Sequence, residues 1–269
     1  QEDVARKLGN PDSEAQAQIF LGFGELHNRK LGSALSHWEK GLAMALTLRN
    51  SPYKALLIRN LGLMYLLAGN AGRARELCEI TRKISTELSD RPGLTQVRMV
   101  MCALELHAAN FEKALEHAEA MRETADDAGL PVFQALAWSY LARATARGRR
   151  SGESLGFLAK AEELGRGMKL PYVDMLVHIA RAWTHCDLGL DPECQRAVEE
   201  GLELCERIES LPFYTLTLRC AGLWSAVESR SVEPGALMKN LETFQADCRN
   251  YQITQFVMIA DRLMAKLST

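Results

Sequence analysis

Five prolines divide the chain at nearly equal intervals. Pro52, Pro92, Pro131, Pro171 and Pro212 are separated by 40, 39, 40 and 41 residues. A stricter register runs beside them. Ala34, Ala74, Ala114, Ser154 and Cys194 are all small and lie 40 apart, and Ala236 follows after 42. Four residues past each sit Trp38, Cys78, Ala118, Leu158, Val198 and Asn240. Seven past each sit Gly41, Thr81, Met121, Ala161, Gly201 and Thr243. Twelve before the first five sit Gly22, Gly62, Cys102, Ala142 and Ala182, with Gly222 in that place for the sixth. Steps of four and then three residues trace one face of a helix. A fixed period of this length is the mark of a chain that stacks copies of one supersecondary unit.

The unit is a helical hairpin. Leu, Ala, Glu, Arg and Met dominate between the prolines and β-branched runs are missing, as strong helix formers would have it. Each period holds two apolar-periodic stretches split by a short turn, such as Ala68-Gly69-Asn70-Ala71-Gly72 or Ala108-Ala109-Asn110-Phe111-Glu112. Asp191-Pro192 and Glu233-Pro234 suit an acidic N-cap followed by Pro at the first helical position. Proline lacks an N–H and disfavours helical geometry in the residue before it. Linkers between units should therefore centre on Ser51-Pro52, Arg91-Pro92, Leu130-Pro131, Leu170-Pro171 and Leu211-Pro212.

Composition narrows the function. The 32 basic and 34 acidic side chains nearly cancel, so no basic excess favours direct nucleic-acid binding or an anionic membrane. No apolar run reaches the roughly 18 residues of a membrane span. Seven cysteines, an odd number with no CxxC pair, suggest neither a disulfide framework nor a zinc knuckle, and point to a reducing cytoplasm. The first residue is not Met, so the chain is expected to be a piece of a longer protein carrying other domains.

Asn60-Leu61-Gly62-Leu63-Met64-Tyr65, with Ala74 twelve residues after Gly62, resembles the tetratricopeptide (TPR) repeat. Asn110-Phe111-Glu112-Lys113-Ala114 resembles the start of that repeat's second helix, and Leu21-Gly22 with Ala34 and Trp38 fits the first repeat. Other repeats depart from the pattern: Glu25 and Glu105 stand at the Tyr position, and Ser154 and Cys194 at an Ala position. A period of 40 exceeds the usual TPR length of about 34. In this it is similar to the C-terminal arms of MalT-like and LuxR-type regulators and of related signalling ATPases. The resemblance implies an all-α, α-α superhelix of about six helix pairs with a C-terminal capping helix. Residues 1–10 are then the tail of a preceding repeat or an N-terminal lead-in, 11–250 the six repeats and 251–269 the cap.

The resemblance also implies that the first helix of each pair lines the concave face. On it would lie Phe23, Arg59, Leu63, Met99, Arg143, Trp183 and Arg219, a mixture of apolar and cationic groups suited to an amphipathic peptide or a ligand with an anionic group. The clamp that some TPR proteins use for a peptide C-terminus is missing: Ile19, Phe23, Gln96 and Val100 occupy its positions and only Asn60 fits. No catalytic, metal or cofactor site is expected. Phosphate-loop, dinucleotide and nucleophile-elbow motifs do not occur. His27 and His107 share one repeat position and His37 and His117 another, 80 residues apart, which suits repeat inheritance better than a shared ion. His178, His185 and Cys186 make a weak metal candidate. Arg147, Arg149 and Arg150 form the one basic cluster and are expected to be a solvated turn. The function expected is a non-catalytic recognition arm of a transcriptional or signalling regulator, binding a protein, a peptide or a small effector in its groove. The alternative is a stand-alone scaffold for protein–protein interaction.

Overall fold

The computed structural model describes residues 11–28, 30–48, 53–148 and 151–268, except for the side chains of Ala55 and Arg59. The proposed tail at residues 1–10 and the Ser51-Pro52 linker lie outside the described residues. Among the described residues thirteen α-helices follow one another: α1 Pro11–His27, α2 Leu31–Leu46, α3 Tyr53–Leu67, α4 Ala71–Glu87, α5 Arg91–His107, α6 Phe111–Asp127, α7 Pro131–Ala146, α8 Ser154–Met168, α9 Pro171–Leu188, α10 Asp191–Arg207, α11 Pro212–Ser229, α12 Pro234–Asn250 and α13 Thr254–Leu267. A single 3₁₀ turn at Ser151–Glu153 leads into α8. No strand occurs among the described residues. The helices form six antiparallel pairs stacked in chain order, with α13 left over at the end.

The register of small residues is the packing seam within each pair. Ala34, Ala74, Ala114, Ser154 and Cys194 are all fully buried. Small residues let the two backbones approach until side chains on one helix reach carbonyls on the other. The Cys102 thiol donates to the Ala114 carbonyl at 3.2 Å, and the Ser154 hydroxyl donates to the Ala142 carbonyl at 2.6 Å. In the first pair the seam is filled from the other side: the Trp38 indole lies over Gly22 and donates to the Ile19 carbonyl at 3.1 Å.

The turns repeat as faithfully as the seams. Gly69, Ala109 and Gly189 have left-handed backbones between the helices of a pair. Ser89, Gly129, Lys169 and Glu209 have them between pairs, again 40 residues apart. A left-handed residue is the common way to end a helix, because it lets the following amides cap the last carbonyls. Accordingly, the Asn70 amide donates to the Tyr65 carbonyl at 2.8 Å and the Asn110 amide to Glu105 at 2.9 Å. The prolines stand just inside the next helix, in its first turn in α5, α7, α9 and α11, where the lost N–H has no intrahelical role. The linkers thus lie just before the prolines instead of being centred on them. Glu233 caps α12 by accepting from the Ala236 amide at 2.8 Å. Asp191 is not the cap expected of it. It is the first residue of α10, capped by Leu190, and its carboxylate accepts from Ser225 of α11 at 2.7 Å.

The sixth pair leaves the register. Ala236, Asn240 and Thr243 are exposed, whereas Leu237, Leu241 and Phe244 are buried. Gly222 faces Gln195 and Val198 of α10 instead of a partner on α12. The Pro171-to-Pro212 gap of 41 advances α11 by one residue, which turns its face by about 100°. Helix α12 is advanced further, its buried Leu237 standing 43 residues after Cys194.

The stack curls until its ends meet. Helix α13 packs on α11 and α12 and also reaches α3. Ile253, in the turn before it, is buried beside Leu26, Leu31, Leu67, Leu211 and Phe213. Gln252 accepts from the Gly32 amide at 2.8 Å across 220 residues of sequence. One continuous core therefore joins Leu31, Leu57 and Leu67 of the first two pairs to Leu216, Phe256 and Leu263 at the other end.

Candidate functional site

The first helices of successive pairs run side by side along the inner wall of this curled stack. Residues 40 apart on them occupy equivalent positions, so two rows can be followed. One row holds Phe23, Leu63, Ala103, Arg143 and Trp183; the other, four residues later, holds His27, Leu67, His107, Arg147 and Asp187.

Arg143 of α7 lies over the Trp183 ring of α9, its guanidinium carbon 4.5 Å from the ring centroid. Trp183 in turn meets the Trp224 ring of α11 edge-on, 6.2 Å between centroids. Arg147, at the end of α7, sits 5.7 Å over Trp224. Both arginines approach one carboxylate. Asp187 takes Arg147 Nε at 2.8 Å on Oδ1 and has Arg143 Nε at 3.8 Å from Oδ2. Burial pushes the Asp187 carboxyl upward, and the two guanidinium groups oppose the shift. Arg143 Nε and Trp224 Nε1 are buried without a hydrogen-bond partner among the described residues.

His107 is on the same row as Arg147 and Asp187. Burial, aided by the charge of Arg143, lowers its pKa to about 4, so the ring is neutral at pH 7. Gln255 of α13 approaches its Nδ1 at 3.5 Å. Tyr140, whose hydroxyl pKa is raised mainly by burial, lies close enough to Arg143 and Tyr172 to feel both. Tyr172 and Tyr214 share a hydrogen bond at 3.1 Å between their hydroxyls. The inner wall of pairs three to six is thus aromatic and polar, with two cations and one anion at its centre.

The seven residues expected to line the groove divide. Arg143 and Trp183 are stacked on each other. Leu63 and Met99 are half-buried wedges: Leu63 packs against the cores on both sides of it, and Met99 packs with Tyr140 between the third and fourth pairs. Phe23 is 44% exposed, with its ring 5.1 Å from Trp38. The Arg59 side chain lies outside the described residues. Arg219 is turned away from the others, because α11 is advanced by one residue. It pairs with Asp247 of α12 at 2.6 Å and lies 5.5 Å over Phe244. It lines an outer groove with Gln195, Glu199 and Asn240, of about 480 Å³. An outer groove one pair earlier, of about 290 Å³, holds His178 and Arg181. His178 is 41 residues before Arg219, again the one-residue slip.

Sequence reasoning passed over Asp187, Tyr140 and Trp224, and it assigned Arg147 to a solvated turn. The signal was there: His107, Arg147 and Asp187 are 40 apart, and they occupy the same position as Leu67 one repeat earlier. Among the described residues no group of three or more His, Cys, Asp or Glu side chains is disposed to hold a metal ion, and no helix is long and apolar enough to cross a membrane.

Comparison with known proteins settles the class of fold. A Rap protein crystallised with the competence and sporulation factor superposes on 93% of this chain and 75% of its own, with a TM-score of 0.65 at 14% identity. The fold is a TPR-like superhelix. A signal-transduction ATPase with numerous domains, from Pyrococcus horikoshii and bearing a tetratricopeptide-repeat sensor, superposes on 95% of this chain with a TM-score of 0.55 at 13% identity; this chain spans 41% of it. In sequence, the chain is 25% identical over 157 residues to the 43 kDa receptor-associated protein of the synapse from Tetronarce californica, covering 58% of this chain and 38% of that relative. No protein-family model matches the chain.

Proposed function

We propose that this TPR-like superhelix is a non-catalytic recognition arm of a larger regulatory protein, and that it binds a peptide, a protein segment or a small effector on its inner face. The observation that carries the reading is the Arg143–Trp183–Asp187–Arg147 group. Two guanidinium groups, two indoles meeting edge-on and buried unpartnered donors sit on the inner wall of the solenoid. Polar groups withdrawn from water in this way cost stability unless something satisfies them. Two likenesses support the reading. One structural neighbour was crystallised with a competence and sporulation factor, and another bears its repeats as the sensor of a signalling ATPase. Phe23, Leu63, Met99, Arg143 and Trp183 are the proposed contact residues, and Arg59 joins them by its repeat position.

The test is affinity selection from randomised hexapeptide pools, with the wild type beside Trp183→Ala, Met99→Ala and an outer-groove control, Arg219→Ala. Truncating an anchor should cost at least about 2 kcal/mol in affinity, whereas a bystander costs little. The reading requires loss in the first two variants and retention in the control. Loss in the control alone, with all variants folded, would favour the alternative of a scaffold that works through its outer grooves.

A further inference from the structure

We infer that the inner face carries a built anion subsite on Arg143, and that the ligand group it takes is a carboxylate. The inference rests on the inner-face reading above and adds the chemistry of what is recognised there.

Asp187 has 9% of its side chain exposed, Arg143 17% and Arg147 34%. Among the described residues no other carboxylate lies within ion-pair distance of either guanidinium. Two cations facing one anion leave a net positive charge in a largely desolvated place. An uncompensated buried charge is among the most costly features a fold can hold.

Geometry then assigns the surplus to Arg143. Asp187 Oδ1 accepts its hydrogen bond from Arg147 Nε, at 2.8 Å. Asp187 Oδ2 is 3.8 Å from Arg143 Nε, beyond hydrogen-bond distance. The Trp183 ring holds the Arg143 guanidinium from one side, 4.5 Å from ring centroid to guanidinium carbon, and Arg143 Nε has no hydrogen-bond partner among the described residues. A planar fork held in that way matches a carboxylate in two parallel hydrogen bonds. Tyr140 beside it and, beyond Trp183, Trp224 are half-buried and offer aromatic surface to the residue that bears the acid. His107, on the same inner wall, is neutral at pH 7 and does not compete for the anion.

Three hexapeptide pools separate the sources of such a carboxylate. The first has a free C-terminus and no Asp or Glu, the second is C-amidated with one Glu in each member, and the third is C-amidated with no acid at all. Wild type should retain the first or the second at least about tenfold over the third, about 1.4 kcal/mol. The better retained of the two tells whether the acid is a chain terminus or a side chain. Arg143→Gln should erase the preference while melting no lower than wild type, because Asp187 keeps Arg147 and the surplus charge is gone. Asp187→Asn, which removes the one competing anion, should widen the preference. Equal retention of all three pools, abolished by Trp183→Ala, would overturn the carboxylate subsite and leave the inner-face reading intact. A preference for acids that survives Arg143→Gln would overturn the assignment to that residue. Retention of no pool by folded wild type would count against both.

Discussion

Single side chains in this protein are held by what their repeat position touches, and His107 gives the clearest test. Its pKa falls from the ordinary 6.5 to about 4 in the folded chain, chiefly through burial. Between those values the unfolded chain holds the proton and the folded chain does not. Stability is therefore highest above about pH 6.5 and declines as pH falls toward 4. Burial lowers His117, His178 and His185 in the same direction. Denaturant titrations at pH 7.5 and 5 should show that loss, and His107→Gln should reduce it; a pH-independent midpoint would contradict the burial of these rings. Two glycines of α1 make a matched pair. A methyl on Gly22 would overlap the Trp38 indole, while one on Gly24 meets nothing within 4 Å. Gly22→Ala should destabilise by about 1–3 kcal/mol through overpacking. Gly24→Ala should stabilise by about 0.5–1 kcal/mol through helix propensity. Thermal melts that moved both in the same direction would refute the Trp38 placement.

Helices were legible in the sequence where the period was regular, and misread where it slipped. The small residues at 34, 74, 114, 154 and 194 mark real seams because close helix approach excludes anything larger, whatever else the repeat has lost. The gap of 41 between Pro171 and Pro212 is plain in the sequence, but periodicity alone does not tell which face of α11 the extra residue turns inward. A single added residue moved Arg219 to an outer groove and brought Trp224, not Leu223, against Trp183. The inner polar group was hard to see for another reason. Its members come from four different helices, and their chemistry depends on burial that no single helix reveals. The closure by α13 had no sequence signal, because a contact across 220 residues leaves no periodic trace. It does leave a signature in exchange. Gly32 is in the first turn of α2, where an amide has no intrahelical acceptor. Its protection should depend on Gln252. Hydrogen exchange at the Gly32 amide should be slowed in wild type and fast in Gln252→Ala; equal, fast exchange in both would mean that the ends do not meet.

At the scale of the molecule, a solenoid couples each unit mainly to its neighbours, and this one adds a contact between its ends. Ala74 and Ala114 are fully buried at successive seams. Ala74→Trp and Ala114→Trp should each cost about 3 kcal/mol or more, since overpacking a close contact is most severe for the largest side chain. Unfolding in these variants should lose its two-state form as the pairs on either side separate, and wild-type melting would show that the seams are misplaced. The curled stack presents an inner wall of first helices and an outer wall of second helices, and the central claim is that recognition belongs to the inner one. The most direct measurement is hydrogen–deuterium exchange of the whole chain with and without the best hexapeptide recovered from the pools. The account predicts that binding slows exchange in α5, α7, α9 and α11, most strongly around Arg143 and Trp183, and leaves α4, α6 and α8 unchanged. Protection confined to α8, α10 and α12, the walls of the outer grooves, would contradict it.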